Sequence, residues 1–175
     1  ANKVMINKIL FITLSNIGDV ILTLPALDVL RQNFPQSAIT VMAGPRPKEL
    51  FERNPYIHKL IAYDKHAHLK NKIDLFNQLR KEKFELIVDL RNSFFGAFLP
   101  AKHKISFLPA FRKNIRHMRQ RHLYRLYKIV GDPSKAAEKS LYISPSDEQY
   151  INNLLIKFQC LLKISHFKIG FAAPV

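Results

Sequence analysis

Apolar residues along this chain fall into short continuous runs separated by longer stretches with helical spacing. The runs are "KILFITL" (8–14), "AITVMAG" (38–44), "HKLIAYD" (58–64), "FELIVDL" (84–90) and "KISFL" (104–108). Residues apolar on successive positions, bounded by polar turns, are the pattern of strands covered on both faces. Between them, 19–34, 46–54, 69–83 and 94–101 read as helices. The first is expected to stop before Pro35, and Pro25 to kink or split it, because proline brings no N–H to the helical ladder. In 69–83 the apolar positions 69, 73, 75, 76 and 79 follow one helical face.

Two further helices follow. In 117–131, Leu123, Leu126, Tyr127 and Val130 share one face, Arg121, Arg125 and Lys128 another, and Gly131 supplies a stop. In 146–163, Ser146 and Gln149 form a capping box ahead of the stripe Ile151, Leu154, Leu155, Phe158 and Leu162. A last run, "HFKIGFAAPV" (166–175), reads as one more buried strand. Strand and helix in alternation, with continuous apolar strands, predict an α/β fold: a Rossmann-like, doubly wound parallel sheet joined by right-handed crossovers.

Composition supports a folded domain. The chain has 175 residues, 47% of them hydrophobic, enough for one core. No apolar stretch reaches the roughly 18–20 residues of a spanning helix, and the N-terminus lacks a signal-peptide pattern, so a cytoplasmic location is expected. The single cysteine, Cys160, has no partner for an intramolecular disulfide and reads as a small core residue.

Charge changes the picture most. The formal net charge of +15 calls for an anionic partner: nucleic acid, a phosphorylated molecule or an anionic membrane face. From Leu90 to Gly131 there is no Asp or Glu, but six arginines (91, 112, 116, 119, 121, 125) and four lysines (102, 104, 113, 128). Arginine's planar fork suits bidentate recognition of phosphate or carboxylate. A nucleic-acid-binding protein on the same core is the alternative, and no helix-turn-helix, zinc or RNP pattern supports it.

The candidate chemistry sits in a small polar knot after the first strand, Ser15-Asn16-Ile17-Gly18-Asp19. In open α/β sheets ligands bind at the carboxyl ends of the strands. Gly18 would permit an unusual dihedral or a close ligand approach. Asp19 has two readings: an N-cap for the following helix, or a general base for a bound hydroxyl. No metal site is expected, because His66 and His68 have no supporting Cys or carboxylate.

The stretch 8–64, with its Ser15, Gly18-Asp19-Val20, Thr23, Pro25-Ala26-Leu27 and Phe34-Pro35, resembles the N-terminal half of the ADP-heptose:lipopolysaccharide heptosyltransferases, glycosyltransferase family 9. "FELIVDLRNSFFGAFL" is similar to that family's later strand, which ends in D-L-Q-G; this chain has Asp89-Leu90-Arg91-Asn92.

The resemblance implies a GT-B glycosyltransferase: an acceptor-binding N-terminal domain (1–165) and, from 166–175 onward, the first strand of a donor-binding domain. It implies an inverting transfer of a sugar from ADP-heptose to an anionic glycolipid acceptor, Kdo-lipid A or a growing inner core. No cofactor is implied; the nucleotide-sugar donor is bound mainly by the other domain. Asp19 becomes the catalytic base. Ser15, Asn16, Gly18, Arg91, Asn92, Arg112, Lys113 and Arg116 are the acceptor-binding candidates, and the stripe Arg121/Arg125/Lys128 would face the anionic inner membrane. The 175 residues alone are expected not to turn over.

Overall fold

The computed structural model describes residues 5–105, 117–131 and 143–164, with Lys128 and 157–164 described by their backbone. Arg112, Lys113, Arg116 and the expected strand 166–175 lie outside these residues, as does the expected domain boundary at 165/166. The chain divides into two compact units, Ala1–Tyr142 and Ile143–Val175.

Five strands form the sheet of the first unit: β1 (Lys8–Ile12), β2 (Ala38–Ala43), β3 (Lys59–Ala62), β4 (Leu86–Asp89) and β5 (His103–Ile105). Their order is β3-β2-β1-β4-β5, and every pairing is parallel. The helices of this unit are α1 (Ile17–Ile21), α2 (Leu24–Asn33), α3 (Glu49–Glu52) after a 3-10 turn at Arg46–Lys48, α4 (Leu69–Lys81), α5 (Phe94–Phe98) and α6 (Met118–Val130).

The pleat sends alternate side chains into two cores. Ile9 and Phe11 of β1, Ile39 and Val41 of β2 and Leu86 and Val88 of β4 point to one face. There they meet Leu27 and Leu30 of α2, Phe51 of α3 and Leu126 of α6. Leu10, Ile12, Met42 and Ile87 point to the other, against Leu79 of α4 and Phe95 of α5. Helices on both faces make the sheet doubly wound, as the uninterrupted apolar strands predict.

The helix predicted over 19–34 begins two residues earlier and is split at Leu22–Thr23. Pro25 falls in the first turn of α2, where its missing N–H costs nothing. The buried Thr23 hydroxyl donates to the Val20 carbonyl at 2.7 Å and accepts from Thr13 Oγ1 at 2.7 Å, tying the break to the end of β1.

The second unit contains α7 (Pro145–Ile164). Its N-cap sits two residues earlier than the capping box expected at Ser146. Ser144 Oγ accepts from the Asp147 N–H at 3.1 Å and donates to the Asp147 carboxylate at 2.6 Å, and Pro145 occupies the first helical position.

Candidate functional site

The order β3-β2-β1-β4-β5 reverses direction at β1. The chain leaves β1 toward α1 and α2 on one face and leaves β4 toward α5 on the other. The diverging connections open a crevice at the carboxyl ends of β1 and β4, the general ligand position of such sheets. Ile12 and Asp89 are paired in register there. The two sequence-predicted groups, Ser15 to Asp19 and Arg91 to Asn92, therefore meet at one sheet edge.

On the β1 side, Thr13 N–H donates to Met42 O at 2.9 Å and Gly44 N–H to Leu14 O at 3.4 Å, binding this loop to the one after β2. A Cβ on Gly44 would stand 2.8 Å from the Ser15 Cα, so only glycine allows the two loops to lie this close. Asn16 is the N-cap of α1, and Asp19 is the third helical residue. This corrects the capping reading of Asp19: its carboxylate accepts from Asn16 Nδ2 at 3.2 Å and is otherwise exposed. Gly18 is also corrected. It lies within α1 without a positive φ and has nothing within 4 Å of its missing Cβ, so of its two expected roles open approach is the one that remains. An acidic residue in a helix's first turn is favoured by the helix dipole, and Asp19 stands there exposed to solvent at the crevice.

On the β4 side, Asp89 is fully buried. Its carboxylate accepts from the Arg91 N–H at 2.9 Å, the Ser93 N–H at 2.6 Å and the Ser93 hydroxyl at 2.9 Å. Burial pushes its pKa up, and these hydrogen bonds oppose the shift. Asp89 is thus the clasp of the β4–α5 turn. The turn passes through Asn92 at φ 60°, a left-handed conformation that asparagine tolerates better than most residues. Asn92 stands where the resembling family has the glycine of D-L-Q-G, and the backbone explains the exchange. The Arg91 guanidinium lies over the Tyr63 ring, 5.3 Å from its centre.

Helix α6 adds two residues that the sequence reading did not place in the site. Arg125 Nη1 donates to the Leu90 carbonyl at 3.2 Å, and the Asp89 carboxylate favours its charge against the cost of burial. Arg125 thus turns toward the β4 edge, which removes it from the expected outward stripe with Arg121 and Lys128. His122 is 1% exposed, and neither ring nitrogen has a hydrogen-bond partner among the described residues. Burial, then the Arg125 charge, lowers its pKa to about 4, while the Asp19 carboxylate acts in the opposite direction. His122 shares the helical stripe of Leu126, which marks it as inward-facing, but Arg125 falls outside that stripe, and nothing in the spacing says that α6 lies beside the β4 edge.

Among the described residues no helix is long and apolar enough to cross a membrane. No protein-family model matches the chain. The chain is similar to lipopolysaccharide heptosyltransferase 3 of Escherichia coli, with 29% identity over 109 residues, 55% of this chain and 31% of that protein. It is also similar to lipooligosaccharide heptosyltransferase 2 of Haemophilus ducreyi, with 34% identity over 96 residues, 53% of this chain and 27% of that protein. The chain thus spans about a third of the curated relatives it matches. Among solved structures, it superposes on a family 9 glycosyl transferase from Veillonella parvula with a TM-score of 0.63 and 24% identity, covering 99% of this chain and 57% of that one. The E. coli ADP-heptose lipopolysaccharide heptosyltransferase II gives a TM-score of 0.62 at 20% identity, covering 85% and 50%. The sequence likeness and the fold likeness lead to the same group of proteins, and the resemblance read from the chain stands.

Proposed function

Taking that likeness to heptosyltransferases as its premise, we propose that this chain is the acceptor-binding half of an inverting, cytoplasmic bacterial heptosyltransferase. The observation that carries the reading is Asp19: an exposed carboxylate after the carboxyl end of β1, on the sheet's switch point, in a chain similar to those enzymes over about half its length. In the proposed reaction Asp19 accepts the proton of an acceptor hydroxyl as its oxygen attacks the anomeric carbon of an ADP-sugar. The bond to the ADP oxygen breaks, ADP leaves with the electron pair, and the configuration inverts. His122 and Arg125 position the crevice from α6, and Arg91 meets the acceptor's anionic groups, joined by Arg112, Lys113 and Arg116. The ADP-heptose donor is held mainly by the protein's other half, and no cofactor takes part. A peripheral contact with the anionic inner membrane belongs to the same reading.

The test is a calorimetric titration of the chain with Kdo-lipid A, ADP-heptose and a short DNA duplex, each at two salt concentrations. Saturable acceptor binding, weakened by Arg91→Ala, with little response to ADP-heptose, is the expected result. Salt-steep duplex binding with no response to the acceptor would move the assignment to nucleic acid. In the protein with both halves present, Asp19→Asn should lower kcat by about 10²–10⁴-fold with little change in stability, because the carboxylate's partner is one exposed amide.

A further inference from the structure

The same sheet edge carries an apolar cleft that the transfer chemistry does not use. It is about 210 Å³ in volume and lies between α4 and α5, lined by Tyr63, Leu69, Ile73, Phe76, Phe94 and Phe95, with Lys72 at its margin. Its walls extend outward. Leu69 is 72% exposed, Ile73 51%, Phe94 59% and Phe98 64%. These are not scattered surface residues. Leu69, Ile73 and Phe76 recur along one face of α4, and the Phe94 ring lies 5.5 Å from Phe76 and 4.5 Å from Phe98. A contiguous apolar patch of this kind marks a surface that is covered in use.

The charges around it choose the occupant. Lys72 lines the cleft, Arg91 lies over its Tyr63, and Lys65 and Lys70 adjoin it in sequence; none of the four forms an ion pair among the described residues. The adjacent Asp64 carboxylate is turned onto the His66 backbone N–H. The opposite sheet edge differs: Lys8, Lys59 and Lys102 there are paired with Glu82 and Glu85. A second copy of this chain would bring like charges together across such a rim. A phosphate-rich bilayer would neutralise them while taking up the rings.

We propose that the α4–α5 cleft is an insertion surface for anionic lipid bilayers, with Phe94 and Phe98 entering the acyl boundary and the lysine rim meeting the headgroups. This extends the membrane element of the reading above and rests on it for direction. It would seat the crevice at the bilayer surface, within reach of a lipid-anchored hydroxyl.

The protein contains no tryptophan, so a single introduced indole reports its own surroundings. The full chain carrying Phe98→Trp is mixed with phosphatidylglycerol/phosphatidylcholine vesicles and with pure phosphatidylcholine vesicles. Tyr56→Trp, on the loop before β3 at the far edge, is the control. The expected result is a blue shift of the Phe98→Trp emission with anionic vesicles alone and none from Tyr56→Trp. Co-sedimentation of the otherwise unchanged chain should fall about tenfold or more in Phe94→Ser/Phe98→Ser, and about fivefold for each of Lys70→Gln and Lys72→Gln. A shift in the control as large as at Phe98, vesicle binding indifferent to the serine pair, or self-association that covers Phe98 without vesicles would overturn the proposal. The vesicles hold no sugar acceptor, so these outcomes are independent of whether the acceptor titration succeeds.

Discussion

A methyl group on Gly96 would stand 2.1 Å from Asp89 Oδ2, closer than any real contact. Asp89 has no freedom to yield, because three hydrogen bonds fix its carboxylate in a fully buried position. Gly96→Ala should therefore destabilise the fold by about 1–3 kcal/mol, read as a lower midpoint in urea. His122 is the other residue whose surroundings decide its behaviour. Its folded pKa of about 4 lies below the ordinary value of 6.5, so the unfolded chain binds the proton first as pH falls. The neutral, buried ring contributes stability that is full above pH 6.5 and is given up progressively down to about pH 4, by ~3 kcal/mol. His122→Leu should flatten the stability profile across that window while leaving the plateau above it nearly in place. A profile unchanged by the substitution would show that the acid sensitivity arises elsewhere.

Elements explain which expectations held. The central strands β1, β2 and β4 were legible because a doubly covered parallel strand is apolar at nearly every position, and short length with flanking polar turns separated them from buried helices. Helix starts were less so. Asp19 and Ser146 both carry cap chemistry, and both lie inside their helices. The caps are Asn16 and Ser144, each set by its neighbours in the chain: the extended segment leaving β1 in one case, Pro145 following at the first helical position in the other. The split between α1 and α2 was announced by Pro25, but its location depends on Thr23 reaching Thr13, a contact between residues that no local pattern links. That contact has a direction. Thr23 gives its proton to Val20 O and receives Thr13's. Thr23→Val strands both partners and should cost about 1–3 kcal/mol, whereas Thr13→Val leaves the Thr23–Val20 bond intact and should cost less. Equal losses in thermal melts would mean that the two hydroxyls are not ordered in this sense.

At the scale of the whole molecule, the site was legible as a place before it was legible as a set of residues. Any sheet of order β3-β2-β1-β4-β5 has its crevice at the ends of β1 and β4. The polar knot and the D-L-R-N segment fall there because they follow those strands. Arg125 and His122 were hidden because α6 crosses back over the sheet from far along the chain, a long-range placement that periodicity does not encode. The two sheet edges also differ in charge: lysines balanced by glutamates at one, and at the other Lys65, Lys70, Lys72 and Arg91, which form no ion pair among the described residues. Binding at the crevice should accordingly weaken as ionic strength rises, while fold stability changes little, since exposed pairs such as Lys59–Glu82 contribute about 0–1 kcal/mol.

The central position of β1 also has a consequence in time. β1 leaves the ribosome before both of its neighbours, β2 and β4, and the second of these is made only after β3 and α4 are complete. At about 5–20 residues per second, one side of a strand that is apolar from Ile9 to Ile12 waits several seconds for its neighbour. During synthesis the middle of the finished sheet is thus, for a while, its most adhesive border. Nascent chains arrested before residue 86 should remain protease-sensitive and bind a holdase chaperone, and those arrested well beyond residue 89 should not. The switch point that creates the crevice is, for the growing chain, a seam that closes late.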